Sequence, residues 1–195
     1  MKPVPMGEGA LRMPRPPGPS AAALLELLEG WPGVLDVVVS EDHVLLLFDP
    51  LAPPDDPSER LRAVAVPSRT PRQHELRVRY DGPDLEDVAR ALGLAVDDLV
   101  ALHGAADLEV KMIGFLPGFA YLGDLDPRLR LARRGSPRPR VPAGAVAVAG
   151  PYSAVYPFSS PGGWHLVGTV VDFVPFSPID GAALHPGDQV RFRPA

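Results

Sequence analysis

The sequence predicts an α+β protein in two parts, a small helix-and-sheet layer followed by a larger closed or sandwiched β domain. Three observations predict this. Leucine-rich helical and β-branched strand-like runs alternate in the first third of the chain. From Leu108 onward, short apolar runs are separated by Pro/Gly turns. Proline and glycine are abundant, 26 and 19 of 195 residues, but they are interleaved with apolar segments in a chain that is 46% hydrophobic. They therefore punctuate a folded, loop-rich β structure rather than a low-complexity one.

In chain order, Met13–Ser20 (MPRPPGPS) is expected to be extended or poorly ordered. Ser20 is a possible N-cap for the helix that follows, and Gly30 its stop. Val34–Glu41 and His43–Pro50 read as two strands of an antiparallel hairpin. Asp55–Val66 offers a second helix with Pro57 in its first turn. One helix, two paired strands and a second helix suggest a ferredoxin-like unit, whose first strand has to come from Gly9–Met13. A boundary is expected near Pro67–Gln73, giving domains 1–72 and 73–195. The second domain opens with a period-two strand, Leu76, Val78 and Tyr80 alternating with Arg77 and Arg79. Two helices follow, one with Pro83 early and Gly93 at its end, the other closed by Gly104. Strands are expected over Leu108–Ile113, Ala145–Gly150, Gly163–Phe173 and Asp188–Pro194.

Composition excludes several functions. A net charge of −5 argues against general nucleic-acid binding, which needs a basic surface. With no cysteine, disulfides, thiolate catalysis and cysteine metal sites are impossible. No segment reaches the ~18 apolar residues of a membrane span, and no signal-peptide run opens the chain, so a cytoplasmic location is the default. The five histidines lack metal-ligand spacing, so no metal site is expected. There is neither a P-loop nor a G-x-S-x-G elbow.

Three segments could hold chemistry. In Gly114–Leu122 (GFLPGFAYL), glycines and a proline shape the backbone around aromatics. Phe115 reads equally as a core turn residue, while Phe119 and Tyr121 suit a pocket wall. Arg128–Arg140 holds six arginines and no acid. Arg128, Arg130 and Arg133 read as a solvated basic loop. Arg138 and Arg140, flanked by prolines that restrain the backbone, are candidates for binding an anion. In Tyr156–Leu166 (YPFSSPGGWHL), Pro161-Gly162-Gly163 reads as a tight turn before Trp164 and His165. His165 is either an ordinary strand histidine or a group that moves a proton or meets an oxyanion. Ser159 and Ser160 could bind polar substrate atoms.

The order GFLPGFAYLGDLDPRL, PRPRVPAGAVAVAG, YPFSSPGGWHLVG, LHPGDQVRFRP, spanning Tyr80 to Pro194, resembles the B-subunit family of 5-oxoprolinase, also described as KipI-like or allophanate hydrolase subunit 1. The resemblance implies a ferredoxin-like N-terminal domain and a cyclophilin-like β-barrel. It implies two partner chains, a homologous C component and a separate A component, and the three together open 5-oxoproline to glutamate with ATP, and magnesium with it. It also leaves open a KipI-type inhibitor of a histidine kinase and a carboxyltransferase of the urea-amidolyase type. Phe115, Pro117, Gly118, Phe119, Tyr121, Tyr156, Ser160, Gly162, Gly163 and Trp164, all at signature positions, are expected at the substrate, and Arg138 and Arg140, also at signature positions, are expected in catalysis with His165, which the resemblance does not carry; the resemblance itself assigns no chemical step to any of them. Where the family often continues with Arg-Thr-Pro, Gly168 here is followed by Thr169, Val170 and Val171.

Overall fold

The computed structural model describes residues 3–53, 57, 59 and 70–195. Its contacts divide the chain into two compact units, 1–70 and 71–195.

In the first unit, strands β1 (Val4–Pro5), β2 (Ala10–Pro14), β3 (Val34–Val39) and β4 (His43–Phe48) form one antiparallel sheet in the order β1-β2-β4-β3. Helix α1 (Ala21–Glu29) starts where Ser20 Oγ accepts from the Ala23 amide, which satisfies one of the donors a helix start leaves free. Met13 is a buried residue of β2, so the proline-rich stretch begins inside the sheet. The core of this unit joins Met13, Leu24, Leu28, Val37, Val44 and Leu46. The hairpin and first helix stand where the sequence puts them. The helix expected over Asp55–Val66 lies outside the described residues, apart from Pro57 and Glu59, which are helical.

The second unit is built on seven strands, β5 (Gln73–Arg79), β6 (Leu108–Ile113), β7 (Ala120–Gly123), β9 (Ala145–Ala149), β10 (Tyr152–Val155), β12 (His165–Val171) and β15 (Gln189–Pro194). They close into a barrel in the order β10-β7-β6-β15-β5-β12-β9, with β9 paired to β10. The last strand inserts between β5 and β6, parallel to β5 and antiparallel to β6. Closure removes free sheet edges. Outside the barrel sheet, β8 (Arg138–Val141) pairs with β11 (Ser160–Gly162), and β13 (Phe176–Ser177) pairs with β14 (Gly181–Ala182).

Helices α2 (Leu85–Leu92) and α3 (Val96–Ala105) join β5 to β6. Gly93 ends α2 in the left-handed region, φ 68°. Gly104 does not close α3 as the sequence suggests; it lies inside the helix. A Cβ there would stand 3.3 Å from the Phe192 carbonyl oxygen, so the residue is a glycine for close packing on β15.

Strand β9 explains how the barrel acquires a second apolar face. All five of its residues are buried. Val146 and Val148 enter the barrel core with Leu108, Leu122 and Phe192, because successive strand side chains point to opposite faces. Ala145, Ala147 and Ala149 face a second cluster with Phe119, Tyr156 and Trp164. The small alanines leave room for large rings on that side.

Candidate functional site

The rings beside β9 wall a cavity of about 160 Å³. Phe115 and Phe119 line it from the β6–β7 connection, Tyr121 from β7, Tyr156 from just after β10, Gly162 from β11, and Gly163 and Trp164 from the β11–β12 connection. Phe119 is the hub. It makes edge contacts with Phe115, Tyr121, Tyr156 and Trp164 at centroid distances of 5.2–5.5 Å. Edge-to-face pairs of this kind stabilise beyond simple area burial.

The backbone of the β6–β7 segment is built to present these rings. The Gly114 amide donates to the Phe119 carbonyl, and the Phe119 amide to that of Leu116. Gly118 has φ 76°, and a Cβ on it would lie 2.7 Å from both Phe176 Cβ and the Pro175 oxygen. Phe115 also takes a positive φ, 71°, and is 60% exposed. A bulky residue held there stores strain of about 1–3 kcal/mol, an outlier that clusters at functional sites. Pro117 shapes the turn but is exposed and does not line the cavity.

Gly162 is a matter of space. Its missing side chain admits the Tyr156 hydroxyl, which a Cβ would approach to 2.3 Å. The residue lies in β11, paired with β8, and not in the tight turn that Pro161-Gly162-Gly163 suggests from sequence. Burial pushes the Tyr156 phenol above its ordinary pKa, and this outweighs the backbone hydrogen bond from Trp164 and the charges of Arg133 and Arg138. The phenol therefore stays protonated near neutral pH and keeps an O–H to donate.

The positive side of the cavity comes from Arg133 and Arg134. Arg133, which reads from sequence as part of a solvated loop, holds its guanidinium 5.8 Å from the Trp164 ring centre, within cation–π range. Arg134 is fixed by Asp84, a buried carboxylate just before α2. Asp84 Oδ1 accepts from Arg134 Nη1 at 3.0 Å and from Arg138 Nη2 at 2.6 Å, and its Oδ2 accepts from the Leu166 amide at 2.7 Å. Burial alone would raise the Asp84 pKa, but the hydrogen bonds from Arg138 and Leu166 and the two cationic charges hold it below the ordinary value.

The remaining sequence candidates stand elsewhere. Arg138 supports the Asp84 cluster, Arg140 Nε donates to Ser159 Oγ, and Ser160 Oγ donates to the Pro161 carbonyl. His165 Nε2 is 3.0 Å from the Ala132 carbonyl, on the loop that bears the arginines. Sequence reasoning missed Arg133, Arg134 and Asp84. The run of six arginines was a signal for the first two; nothing local pointed to Asp84.

Among the described residues, no group of His, Asp and Glu could hold a metal ion, and no helix is long and apolar enough to cross a membrane. The cavity volume lies below the roughly 300–1,000 Å³ of pockets that take drug-sized ligands, and no acidic side chain that could hold magnesium lines it.

Residues 16–178 match the family described as carboxyltransferase domain, subdomain C and D. The 5-oxoprolinase B subunit of Escherichia coli O157:H7 is 37% identical over 180 residues, covering 88% of this chain and 83% of the relative. That of Haemophilus influenzae is 33% identical over 203 residues, covering 97% and 95%. The crystal structure of TTHA0988 superposes with a TM-score of 0.82 at 40% identity, over 95% of this chain. The chain spans 40% of that protein's length.

Proposed function

The chain belongs to the B-subunit family of 5-oxoprolinase, and from that premise we propose that it is the B component of an ATP-dependent complex that opens 5-oxoproline to glutamate. On this reading the first unit is ferredoxin-like, since β4 lies between β2 and β3 with α1 joining those two, and the barrel is cyclophilin-like. The A and C components complete the enzyme, in keeping with relatives named as one subunit of an oxoprolinase.

The observation that supports the reading best is the aromatic cavity with its one-sided charge. A lactam is a poor electrophile, and its opening develops charge at the amide oxygen. The Tyr156 O–H is a buried donor suited to that oxygen. Arg133 and Arg134 suit the substrate carboxylate. Phe119, Tyr121 and Trp164 exclude water from the ring. Nucleotide and magnesium are assigned to the partner chains, and Arg138, Arg140 and His165 to support around the cavity.

The test is release of glutamate and ADP from 5-oxoproline and ATP by this chain with its A and C partners, against the same mixture without it. Turnover that requires the chain is expected; equal turnover in its absence would refute the assignment.

A second reading, a module that binds and inhibits a histidine kinase, draws on the exposed apolar Phe115, Val174 and Ile179 of the second unit. Inhibition of a purified kinase by this chain alone would favour it. Activity on urea dependent on bicarbonate and biotin would favour a carboxyltransferase instead.

A further inference from the structure

The Asp84 cluster leaves two guanidinium donors with no protein acceptor, Arg134 Nε and Arg138 Nη1, although both atoms are buried. Buried polar groups are nearly always paired, and a charged donor is the costliest to leave unmet. The two arginines share one carboxylate, so the cluster keeps a net positive charge. Arg134 also lines the aromatic cavity, Arg133 adds a second cation there, and no acidic side chain lines it. Yet the protein as a whole carries −5. The cavity is therefore a local reversal of charge, walled by rings and sized for a small molecule.

We propose that this cavity is a subsite for a small, flat monocarboxylate, gripped through its carboxylate by the Arg134 guanidinium beside Arg133, and that it excludes the nucleotide. Asp84 anchors Arg134 through Nη1, and the anchored side chain lines the cavity. Phe119 and Trp164 bound the flat part. The proposal rests on the oxoprolinase reading only for naming 5-oxoproline as the natural occupant. The chemistry of recognition, one carboxylate on a small planar body, is independent of it.

The test uses Trp164 as reporter. The protein has two tryptophans, and Trp31 lies in the first unit, so Trp31→Phe in the full chain isolates the cavity signal. The probes are 5-oxoproline, benzoate, 2-pyrrolidinone (the lactam without its carboxylate) and ATP as competitor. A saturable fluorescence change with 5-oxoproline and benzoate is expected, at least tenfold weaker with 2-pyrrolidinone, and not displaced by ATP. Arg134→Gln is expected to weaken carboxylate binding about tenfold, or ~1.4 kcal/mol. Arg133→Gln, at an exposed position that leaves the fold intact, is expected to weaken it severalfold. Arg128→Gln, whose guanidinium pairs with Asp126 on the surface, is expected to change nothing. Binding of benzoate but not 5-oxoproline would uphold the subsite and count against the oxoprolinase reading. No carboxylate binding, equal binding of 2-pyrrolidinone, or displacement by ATP would overturn the proposal.

Discussion

Two of the buried polar clusters in the barrel unit differ in what they leave unmet. The first is centred on His103, fully buried in α3 and stacked on Phe192. Ser153 Oγ donates to the Ala147 carbonyl, so it accepts from His103 Nε2–H, and His103 Nδ1 accepts from the Tyr80 hydroxyl. Every proton in that network has a destination if the imidazole is neutral. Burial enforces this, lowering the His103 pKa to about 4 and raising that of Tyr80. The second cluster, Asp84 with Arg134 and Arg138, is incomplete, charged and beside a cavity. A complete neutral network holds a fold together; an incomplete charged one is ready for a ligand.

That contrast can be broken or sharpened by substitution, beginning with the largest effect. Asp84→Ala leaves two arginines without their carboxylate and the Leu166 amide without its acceptor. A loss of about 3–5 kcal/mol in urea unfolding is expected.

Next comes the closed network. The folded pKa of His103 lies below the unfolded value of 6.5, so the unfolded chain takes up the proton first as pH falls. Its contribution is present above pH ~6.5 and is lost toward pH ~4, about 3 kcal/mol in all. Urea midpoints across that window should show the slope, and His103→Leu should flatten it while cavity binding persists.

Tyr156→Phe keeps the ring and removes the donor. A fall of about 10²-fold in kcat of the reconstituted complex, with KM nearly unchanged, is expected. An unchanged kcat would remove Tyr156 from the chemistry.

Gly162→Ala sets a methyl against the Tyr156 hydroxyl, with an expected cost of about 1–3 kcal/mol. Thermal unfolding would measure it, and loss of the Trp164 response would show that the cavity had closed.

Sequence reasoning reached much of this unit because its signals are local. The alternation of Leu76 and Val78 marked β5, and Gly93 marked the end of α2. The aromatics of Gly114–Leu122 and Tyr156–Trp164 were legible because glycine and proline around large rings are unusual. What escaped was long-range. Asp84 looked like part of a helix start, yet its partners lie 50, 54 and 82 residues away. Gly162 looked like a turn because pairing with β8 is invisible from its neighbours. The alanines of β9 fall within the strand expected over Ala145–Gly150, but only the barrel's closure gives them an outer face that must accommodate Phe119 and Trp164.

If the incomplete cluster, and not the complete one, meets the ligand, the two must respond differently to it. Arginine Nε–H and histidine ring resonances recorded during titration with 5-oxoproline test this most directly. A saturable shift at Arg134 Nε–H with still signals at His103 is the expected result. Shifts at His103 with Arg134 unmoved would contradict it.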